Sequence, residues 1–526
     1  MMPFNALLFV GVSVISVVFL YFFLTPKENY KNGALVWSKL NIQGVPSTGI
    51  FPWHRALLRS VFRTQSTVLE GYQRICLALN RPFALPTIWV WDAVIVMPPS
   101  LLEVLHRPAS EIQASKAQFD TIQMPYMVPD GSIFDKPIHF DVVRKYMMNQ
   151  KHILSLAPLI YREIDAVFRE CWGDSTQWTT VNSWDACDRV ITRAATSILI
   201  GLPTCRDPAF YEPARLFADS IMAGTIGINC LPPILRRIVG PVVALPARYY
   251  HAQCIKILVP FVKTRIHIWE ARGKGEGVPD DYLQWLIQKC SKEDPVEMNP
   301  IRLASRLLML NSMFVIGMAY VFAHCVEDIY GSPNHKEFIQ GMEAECKQVY
   351  SEHGGLVTKG AIDSLHRVDS AIRESMRFSD SVITALARDV VSEDLDLGNG
   401  IKLPQGSRIV FPTQAIHRDP KNYPDPSRFD AFRFSRRFEV DSHTKPATWT
   451  GEREEMVSTS SSFLAFGYGK NSCPGRYFSS QTMKQALAYL LLNYDVEMGK
   501  PLSKRRVCLN MVVPRKNVYL KIRRKL

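Results

Sequence analysis

Apolar residues recur at helical spacing along most of the chain. The clearest runs are 151–172, 192–202, 254–269, 301–329 and 478–492. Residues three and four positions apart lie on the same side of a helix, so these runs predict amphipathic helices packed on a common core. The run 301–329 is apolar nearly all round, which is typical of a helix buried in the middle of a large protein.

Strand-like runs are short. They cover 88–96, 381–388 and 408–413, the last after the turn residues Pro404 and Gly406. No repeat and no Gly/Ser-rich linker interrupts residues 56–526 of the sequence. A chain of 526 residues can bury a substantial core without disulfides or a metal. The pattern therefore predicts one large, mainly α domain with small β-sheets over 56–526.

A separate apolar run, 6–24, precedes this domain and contains no charged residue. Its 19 residues would span roughly 28 Å as a helix, close to the hydrocarbon thickness of a bilayer. A cleaved signal peptide would need a basic start and a small-residue cleavage site, and neither is present. Basic residues begin only at Lys27, so the positive-inside rule places the N-terminus in the lumen. We predict a luminal N-terminus and transmembrane anchor over 1–26 and a linker over 27–55.

Charge and cysteine content narrow the classes of partner. The net charge is +13, and much of the excess lies in 504–506, 515–516 and 521–525. Such an excess suits nucleic acid, a membrane surface or an acidic protein, and the anchor together with the lack of a nucleic-acid motif favours the last two. A merely soluble basic surface remains an alternative. The 11 cysteines are odd in number and form no zinc-type pair, which indicates a reducing compartment.

The segment 463–476 combines glycines, a cysteine and a helix start. Gly467 and Gly469 permit a tight loop with positive φ angles. Cys473 ends this loop, and a helical pattern follows from about Gly475, so a thiolate there would be stabilised by the positive end of the helix. Gly475 has no side chain, which lets a flat macrocycle approach the backbone. Phe466 is placed to pack on the sulfur side and exclude water.

This segment resembles the haem-binding signature of the cytochrome P450 family, F-G-x-G-x-[RH]-x-C-x-G, at every position but one. The resemblance implies a haem with Cys473 as the axial ligand of the iron. The departure is Asn471, where the family has an Arg or His that reaches a haem propionate, and Lys470 is the candidate to replace it. Arg388 lies where the family places another propionate-binding Arg, although a solvated Arg at a strand end is the alternative.

Two further segments match the family in the expected order. Glu374 and Arg377 resemble its E-x-x-R pair, and their spacing places both charges on one helical face. The chance match Glu212 and Arg215 shows that this motif alone has little weight. The segment 429–434 looks like the family's F-x-P-E-R-F with its Pro and Glu lost. The resemblance implies that Glu374, Arg377 and Arg433 form a structural charge network around the haem loop.

The central helix departs from the family pattern. Members usually have an acid and an alcohol there that deliver protons to oxygen at the haem, and this chain has Ile316 and Gly317 at those positions. Water beside Gly317 or a substrate hydroxyl would have to supply the proton. Alternatively, the reaction needs no oxygen activation, as in an isomerisation or dehydration, or the site is impaired. General acid–base help is typically worth about 10²–10⁴-fold, so its loss slows a monooxygenase without preventing it.

The resemblance implies the P450 fold and a monooxygenase that oxidises a hydrophobic small molecule at the cytosolic face of the endoplasmic reticulum. Its electrons would come from NADPH through NADPH–cytochrome P450 reductase, with cytochrome b5 as a second candidate donor. The motifs are closest to those of fungal members that oxidise terpenoids and other secondary metabolites. The predicted substrate pocket consists of Met313, Ile316, Gly317, Val382, Ile383, Met511 and Val512. The rivals are an oxygen-independent haem-thiolate isomerase or dehydratase and a non-catalytic haem-binding membrane protein.

Overall fold

The computed structural model describes residues 40–272, 278–293, 295–398, 400–440, 448–449, 454–500 and 502–526. The predicted anchor, and the linker up to residue 39, lie outside the described residues. The remainder is mainly helical with small sheets, as the sequence predicts.

The helices follow the apolar runs, with differences at their ends. They are α1 (Pro52–Gly71), α2 (Ser115–Ile122), α3 (Met124–Met127), α4 (Ile138–Met147), α5 (Gln150–Ser155), α6 (Ala157–Trp172), α7 (Ser183–Leu199), α8 (Pro208–Asn229), α9 (Pro233–Val243), α10 (Leu245–Arg272), α11 (Tyr282–Cys290), α12 (Pro300–Tyr330), α13 (His335–His353), α14 (Lys359–Asp363), α15 (His366–Phe378), α16 (Thr413–His417) and α17 (Arg476–Asn493). The run 151–172 forms two helices, α5 and α6. The second begins next to Pro158, which lacks the N–H that a continuous helix would need.

Helix α12 is the centre of the fold. Its start is fixed by Asn299, whose side chain accepts the backbone N–H of Ile301, and by Pro300 at the first helical position. It packs against α7, α8, α10, α15 and α17. Among the described residues it is the one helix long and apolar enough to cross a bilayer, but 67% of its most apolar stretch is buried inside the protein. It is therefore the buried core helix that the sequence predicts.

The strands are short and form several small sheets. They are β1 (Asn41–Ile42), β2 (Phe83–Thr87), β3 (Asp92–Val96), β4 (Ile112–Gln113), β5 (Thr179–Asn182), β6 (Ala385–Val390), β7 (Asp394–Asp396), β8 (Lys402–Pro404), β9 (Arg408–Phe411), β10 (Glu439–Val440), β11 (Thr448–Trp449), β12 (Tyr494–Met498), β13 (Arg506–Cys508), β14 (Met511–Val513) and β15 (Tyr519–Arg524). The predicted strand 88–96 begins later than expected, because residues 88–91 form the turn between β2 and β3, with Trp91 at a φ of 58°.

The largest sheet has the order β1-β2-β3-β9-β6-β4. Strands β6 and β9 are antiparallel, and their register shifts between Ala385 and Arg388. Leu386, inside this irregular stretch, has a φ of 61°. Bulges of this kind redirect side chains at the edge of a site. This one lies where Arg388 enters the wall of the cavity described below.

Candidate active site

The loop before α17 is held in one conformation by its glycines and by three backbone hydrogen bonds, Gly467 to Leu464, Ser472 to Gly469 and Cys473 to Phe466. Gly467 and Gly469 have φ angles of 88° and 63°, as the sequence predicts. A Cβ on Gly469 would lie 2.5 Å from Nε2 of His106, so a side chain there would have to displace the His106 ring. The backbone N–H of Cys473 donates to the carbonyl of Phe466 at 2.7 Å and closes the loop.

Cys473 lies directly before α17, which begins at Arg476 with Gly475 as its N-cap. Its side chain is exposed by surface area although protein surrounds it, because its free face opens into an internal cavity. Burial raises the pKa of the thiol, while the backbone N–H groups of Gly475 and Arg476 and the charge of Arg476 lower it. A metal ion bound to this sulfur would favour the thiolate over the thiol, because coordination deprotonates a thiol.

The cavity above Cys473 has a volume of about 650 Å³. The Cys473 loop forms one wall, and α12 crosses the other side. Its apolar lining is Phe119, Ile122, Phe134, Phe140, Val143, Leu310, Met313, Phe314, Met318 and Val321. These apolar side chains suit a lipophilic ligand beside a flat cofactor.

Two glycines on opposite walls have different surroundings. A Cβ on Gly475 would lie 2.7 Å from the ring of Phe314 on α12, so the backbone and this ring approach as closely as a glycine allows. At Gly317, one turn further along α12, no described atom other than those of its two chain neighbours and the nearby helix backbone lies within 4 Å of an added Cβ. Helix α12 therefore leaves open space at the position where the family has its alcohol.

Arg388 brings a buried positive charge to the cavity wall. Its side chain is 2% exposed, and Nη1 donates to the carbonyl of Ala387 at 2.9 Å. No carboxylate of the described residues forms an ion pair with it, and burial lowers its pKa. A buried cation without an anion is costly, so the wall is complementary to a ligand with a carboxylate. The interpretation of Arg388 as a solvated residue at a strand end does not fit this burial.

Lys470 and Asn471 also line the cavity. The Lys470 ammonium lies 3.5 Å from the carbonyl of His106, a long contact that leaves it able to turn toward an anion. Arg144 of α4 is a third cation in the wall; its side chain is 62% exposed and pairs with Asp141 at 3.3 Å. A thiol that faces a cavity, the open space at Gly317 and three cations together fit a haem, whose macrocycle is flat and bears two carboxylates.

The structure brings Glu374, Arg377 and Arg433 together. Glu374 and Arg377 are 0% exposed and form two hydrogen bonds, at 2.7 and 2.8 Å. Nε of Arg433 lies 3.0 Å from both carboxylate oxygens of Glu374. Arg377 also donates to the carbonyls of His417 and Pro426. The carboxylate thus joins α15 to the segment that follows α16, as the resemblance implies.

The predicted substrate pocket is divided by the structure. Met313, Gly317 and Val382 line the cavity, whereas Ile316, Ile383, Met511 and Val512 do not. Ile316 lies off the lining face of α12, because that face contains residues 313, 314, 317, 320, 321 and 324. Ile383 is 1% exposed and packs in the sheet core. The strand pair β13–β14 lies behind the wall, because Met511 of β14 forms a β-bridge with the lining residue Val382.

Several lining residues have no counterpart in the sequence prediction. Phe119, Ile122, Phe134, Phe140 and Arg144 come from short segments between residues 115 and 147. Those segments carry no motif, and only tertiary packing brings them to the cavity. Their one sequence signal is a concentration of aromatic residues, which equally suits an ordinary core.

A second cavity, of about 830 Å³, lies on the other side of Asp380 and Ser379, which line both cavities. Its wall is strongly charged, with Glu327, Arg418 and Arg515 among the lining residues. It contains no cysteine. We therefore assign the active site to the smaller cavity, where the thiol is.

Comparisons with known proteins agree with this site. Residues 326–522 match the family model Cytochrome P450. The chain is 32% identical over 493 residues to cytochrome P450 monooxygenase gloP of Glarea lozoyensis, covering 90% of this chain and 89% of the relative. It is 33% identical over 473 residues to cytochrome P450 monooxygenase htyF of Aspergillus rugulosus, covering 86% and 68%. Cytochrome P450 monooxygenase okaG of Penicillium ochrochloron is 29% identical, with 90% and 91% covered.

The chain belongs to the cytochrome P450 family, because its similarity to gloP extends over nine tenths of its length. It is a P450 monooxygenase, and its cofactor is a haem held by a cysteine thiolate. The alternative of a non-catalytic haem-binding membrane protein is therefore wrong, because the chain is an enzyme.

Proposed function

We propose that this enzyme hydroxylates or otherwise oxidises a lipophilic secondary metabolite, such as a terpenoid, with O₂ and electrons from NADPH. NADPH–cytochrome P450 reductase is the proposed donor, and cytochrome b5 a second one. The observation that carries the proposal is the Cys473 sulfur facing a cavity with an apolar wall. A thiolate-ligated haem supplies oxygen activation when bound, and the protein supplies orientation and a dry site.

The chain's own residues would then have distinct tasks. Cys473 holds the iron. The backbone N–H groups of Gly475 and Arg476 lie near its sulfur and stabilise the negative charge of the thiolate. Arg388, Lys470 and Arg144 hold the propionates. The aromatic residues of 115–147 exclude water and hold an apolar substrate. These assignments are the roles that burial and charge support.

This chain must deliver protons to the haem site without the alcohol that related chains have on the central helix. Gly317 lies in the cavity wall with open space beside it, so a water molecule or a substrate hydroxyl can occupy the place of the missing alcohol. The same observation supports a second candidate function, an oxygen-independent isomerisation or dehydration. We favour oxidation, because the named relatives are monooxygenases.

Exposed apolar side chains support a membrane location. Ile234, Ile238 and Val242 follow one another at intervals of four on α9 and are 62%, 72% and 61% exposed. On α1, Phe62 is 77% exposed. Surfaces of this kind suit insertion into a bilayer. We propose a single-pass protein of the endoplasmic reticulum, with an anchor over 1–26, a linker over 27–55 and a cytosolic catalytic domain over 56–526.

The test uses the full chain in microsomes of a host that expresses a reductase. These microsomes are supplied with NADPH under ¹⁸O₂ or under argon, and parallel samples lack the reductase. The products are analysed by mass spectrometry. A monooxygenase incorporates one ¹⁸O atom and needs both oxygen and reductase. Undiminished turnover under argon without reductase would establish the isomerase or dehydratase instead. Cys473→Ser is the control, and it should abolish the thiolate-type Soret band of the reduced carbon-monoxide complex.

A further inference from the structure

Residues 118–124 form a wall between the cavity above Cys473 and a smaller cavity beside it. Phe119 and Ile122 line the larger cavity. The smaller one has a volume of about 220 Å³, and Thr121 and Ile122 line it. A haem takes part of the 650 Å³ of the larger cavity, so the position of this wall sets the space that is left for a substrate.

Asn229, the last residue of α8, supports this wall although it lines neither cavity. It is 0% exposed. Its Nδ2 donates to the backbone carbonyl of Thr121 at 2.9 Å, and its Oδ1 accepts Nε2 of Gln123 at 2.9 Å. Both ends of one amide are therefore bonded to the two residues that flank Ile122.

The backbone of the wall depends on such contacts. The carbonyls of Thr121 and Ile122 lie at the end of α2, where a helix offers them no partner of its own. Thr225, one turn before Asn229 on α8, donates its hydroxyl to the Ile122 carbonyl at 2.7 Å. Gln123 follows with a φ of 54°, a conformation that a residue with a side chain keeps only when its surroundings enforce it. Helix α8 supplies part of that enforcement.

Asn229 is itself fixed by its backbone. Its carbonyl accepts Nε1 of Trp91 at 3.1 Å and Nη2 of Arg236 at 3.1 Å. Trp91 lies in the turn between β2 and β3, and Arg236 lies on α9. Because these bonds come from two other elements of the fold, the side chain of Asn229 is a fixed support for residues 121–123.

We propose that Asn229 is a positioning residue for the substrate pocket, which keeps Ile122 and Phe119 close to the haem site and so limits the size of the substrate. The inference rests on the proposed function and narrows its substrate class to compact lipophilic molecules. Asn229 does not touch the substrate. It acts through Thr121 and Gln123, and without its two bonds the wall yields to a larger ligand.

The test measures dissociation constants of two imidazoles on the purified haem-loaded enzyme, from the shift of its Soret band. 1-Benzylimidazole and 1-tritylimidazole both bind haem iron through an imidazole nitrogen, and the second has two more phenyl rings. Asn229→Leu removes both side-chain hydrogen bonds. The ratio of the dissociation constant of the trityl compound to that of the benzyl compound should then fall about tenfold from its wild-type value, the value of one net hydrogen bond.

Two further variants separate positioning from general stability. Thr225→Val removes only the hydroxyl that bonds to the Ile122 carbonyl, so the ratio should fall by a smaller factor; it decides the test if Asn229→Leu does not fold. Gln485→Leu is the matched control, because Gln485 is also 0% exposed and its amide donates to the carbonyls of Ala157 and Leu356, away from both cavities. It should lower the free energy of unfolding and leave the ratio unchanged.

An unchanged ratio in the folded α8 variants, or an equal fall in Gln485→Leu, would overturn the inference. The reduced carbon-monoxide spectrum and the ¹⁸O₂ experiment are scored on the same preparations. If both are normal while the ratio does not change, only the assignment of Asn229 fails and the proposed function stands. If the wild-type protein lacks the thiolate-type band and incorporates no ¹⁸O, the proposed function fails, and the inference fails with it.

Discussion

Nδ1 of His417 lies 2.9 Å from both carboxylate oxygens of Asp380, and Nε2 of the same ring accepts the backbone N–H of Leu464 at 2.8 Å. The ring is 0% exposed and stacks on Phe463. Because an amide only donates, Nε2 is unprotonated and Nδ1 donates to Asp380. The end of α15 is thus connected through one imidazole to the loop that contains Cys473.

We expect His417→Leu to disorder this loop. The change leaves the Leu464 N–H and the Asp380 carboxylate without their partner, and unpaired buried groups cost about 1–3 kcal/mol each. A larger share of the reduced carbon-monoxide complex should then lack the thiolate-type band. The matched control is His251→Leu, since His251 is 3% exposed and no described residue hydrogen-bonds to its Nε2. A normal band in His417→Leu would refute the connection.

Loss of the Glu374 charge should destabilise the whole domain. Glu374→Gln leaves the buried guanidinium of Arg377 without its carboxylate, and breaking a buried pair costs about 3–5 kcal/mol. The unfolding free energy from urea titration measures this. Glu212→Gln is the control: Glu212 has the same spacing to Arg215, but its side chain is 36% exposed, and it pairs with Arg215 at 3.3 Å and with Arg189 at 2.7 Å. That change should cost at most about 1 kcal/mol, and equal losses at both sites would contradict the network.

The buried charge of Arg388 should slow the dissociation of the haem. Arg388→Leu removes the buried cation that the wall presents to a carboxylate, so haem loss should be about tenfold or more faster, as expected for a charged hydrogen bond of about 1.5–3 kcal/mol. Transfer of haem to excess apomyoglobin measures the rate. Arg388→Lys retains the charge and should lie between the leucine variant and the wild type. Unchanged haem loss in Arg388→Leu would show that this guanidinium faces no propionate.

The sequence predicted the parts of the site that are local in the chain. The loop from Phe466 to Cys473 is contiguous, and its glycines have the positive φ angles that the pattern requires. Glu374 and Arg377 are one helical turn apart. Arg433 had to be inferred from order along the chain, because its contact with Glu374 spans 59 residues.

The cavity wall was less predictable, because it depends on the rotation of α12 and on packing from elsewhere. Ile316 takes the position of the family's acid and is therefore predicted to face the pocket, yet the lining face runs through Phe314, Gly317 and His324. A rotation of one residue about a helix axis is about 100°, enough to move a side chain from the cavity to the core. The hydrogen bond from Arg505 to His324 spans 181 residues and has no sequence signal.

Gly317→Thr tests how protons reach the haem. Apart from its two chain neighbours and the nearby backbone of α12, no described atom lies within 4 Å of a Cβ at Gly317, so a side chain has room to begin there. A hydroxyl in this wall would supply the alcohol that related helices have, and general acid–base assistance is worth about 10²–10⁴-fold when well placed. For a monooxygenase, we expect more product and less hydrogen peroxide per NADPH consumed. Gly317→Val has the same shape without the hydroxyl and should not improve this ratio. Equal improvement by both variants would mean that filled space, and not proton transfer, limits the wild-type enzyme.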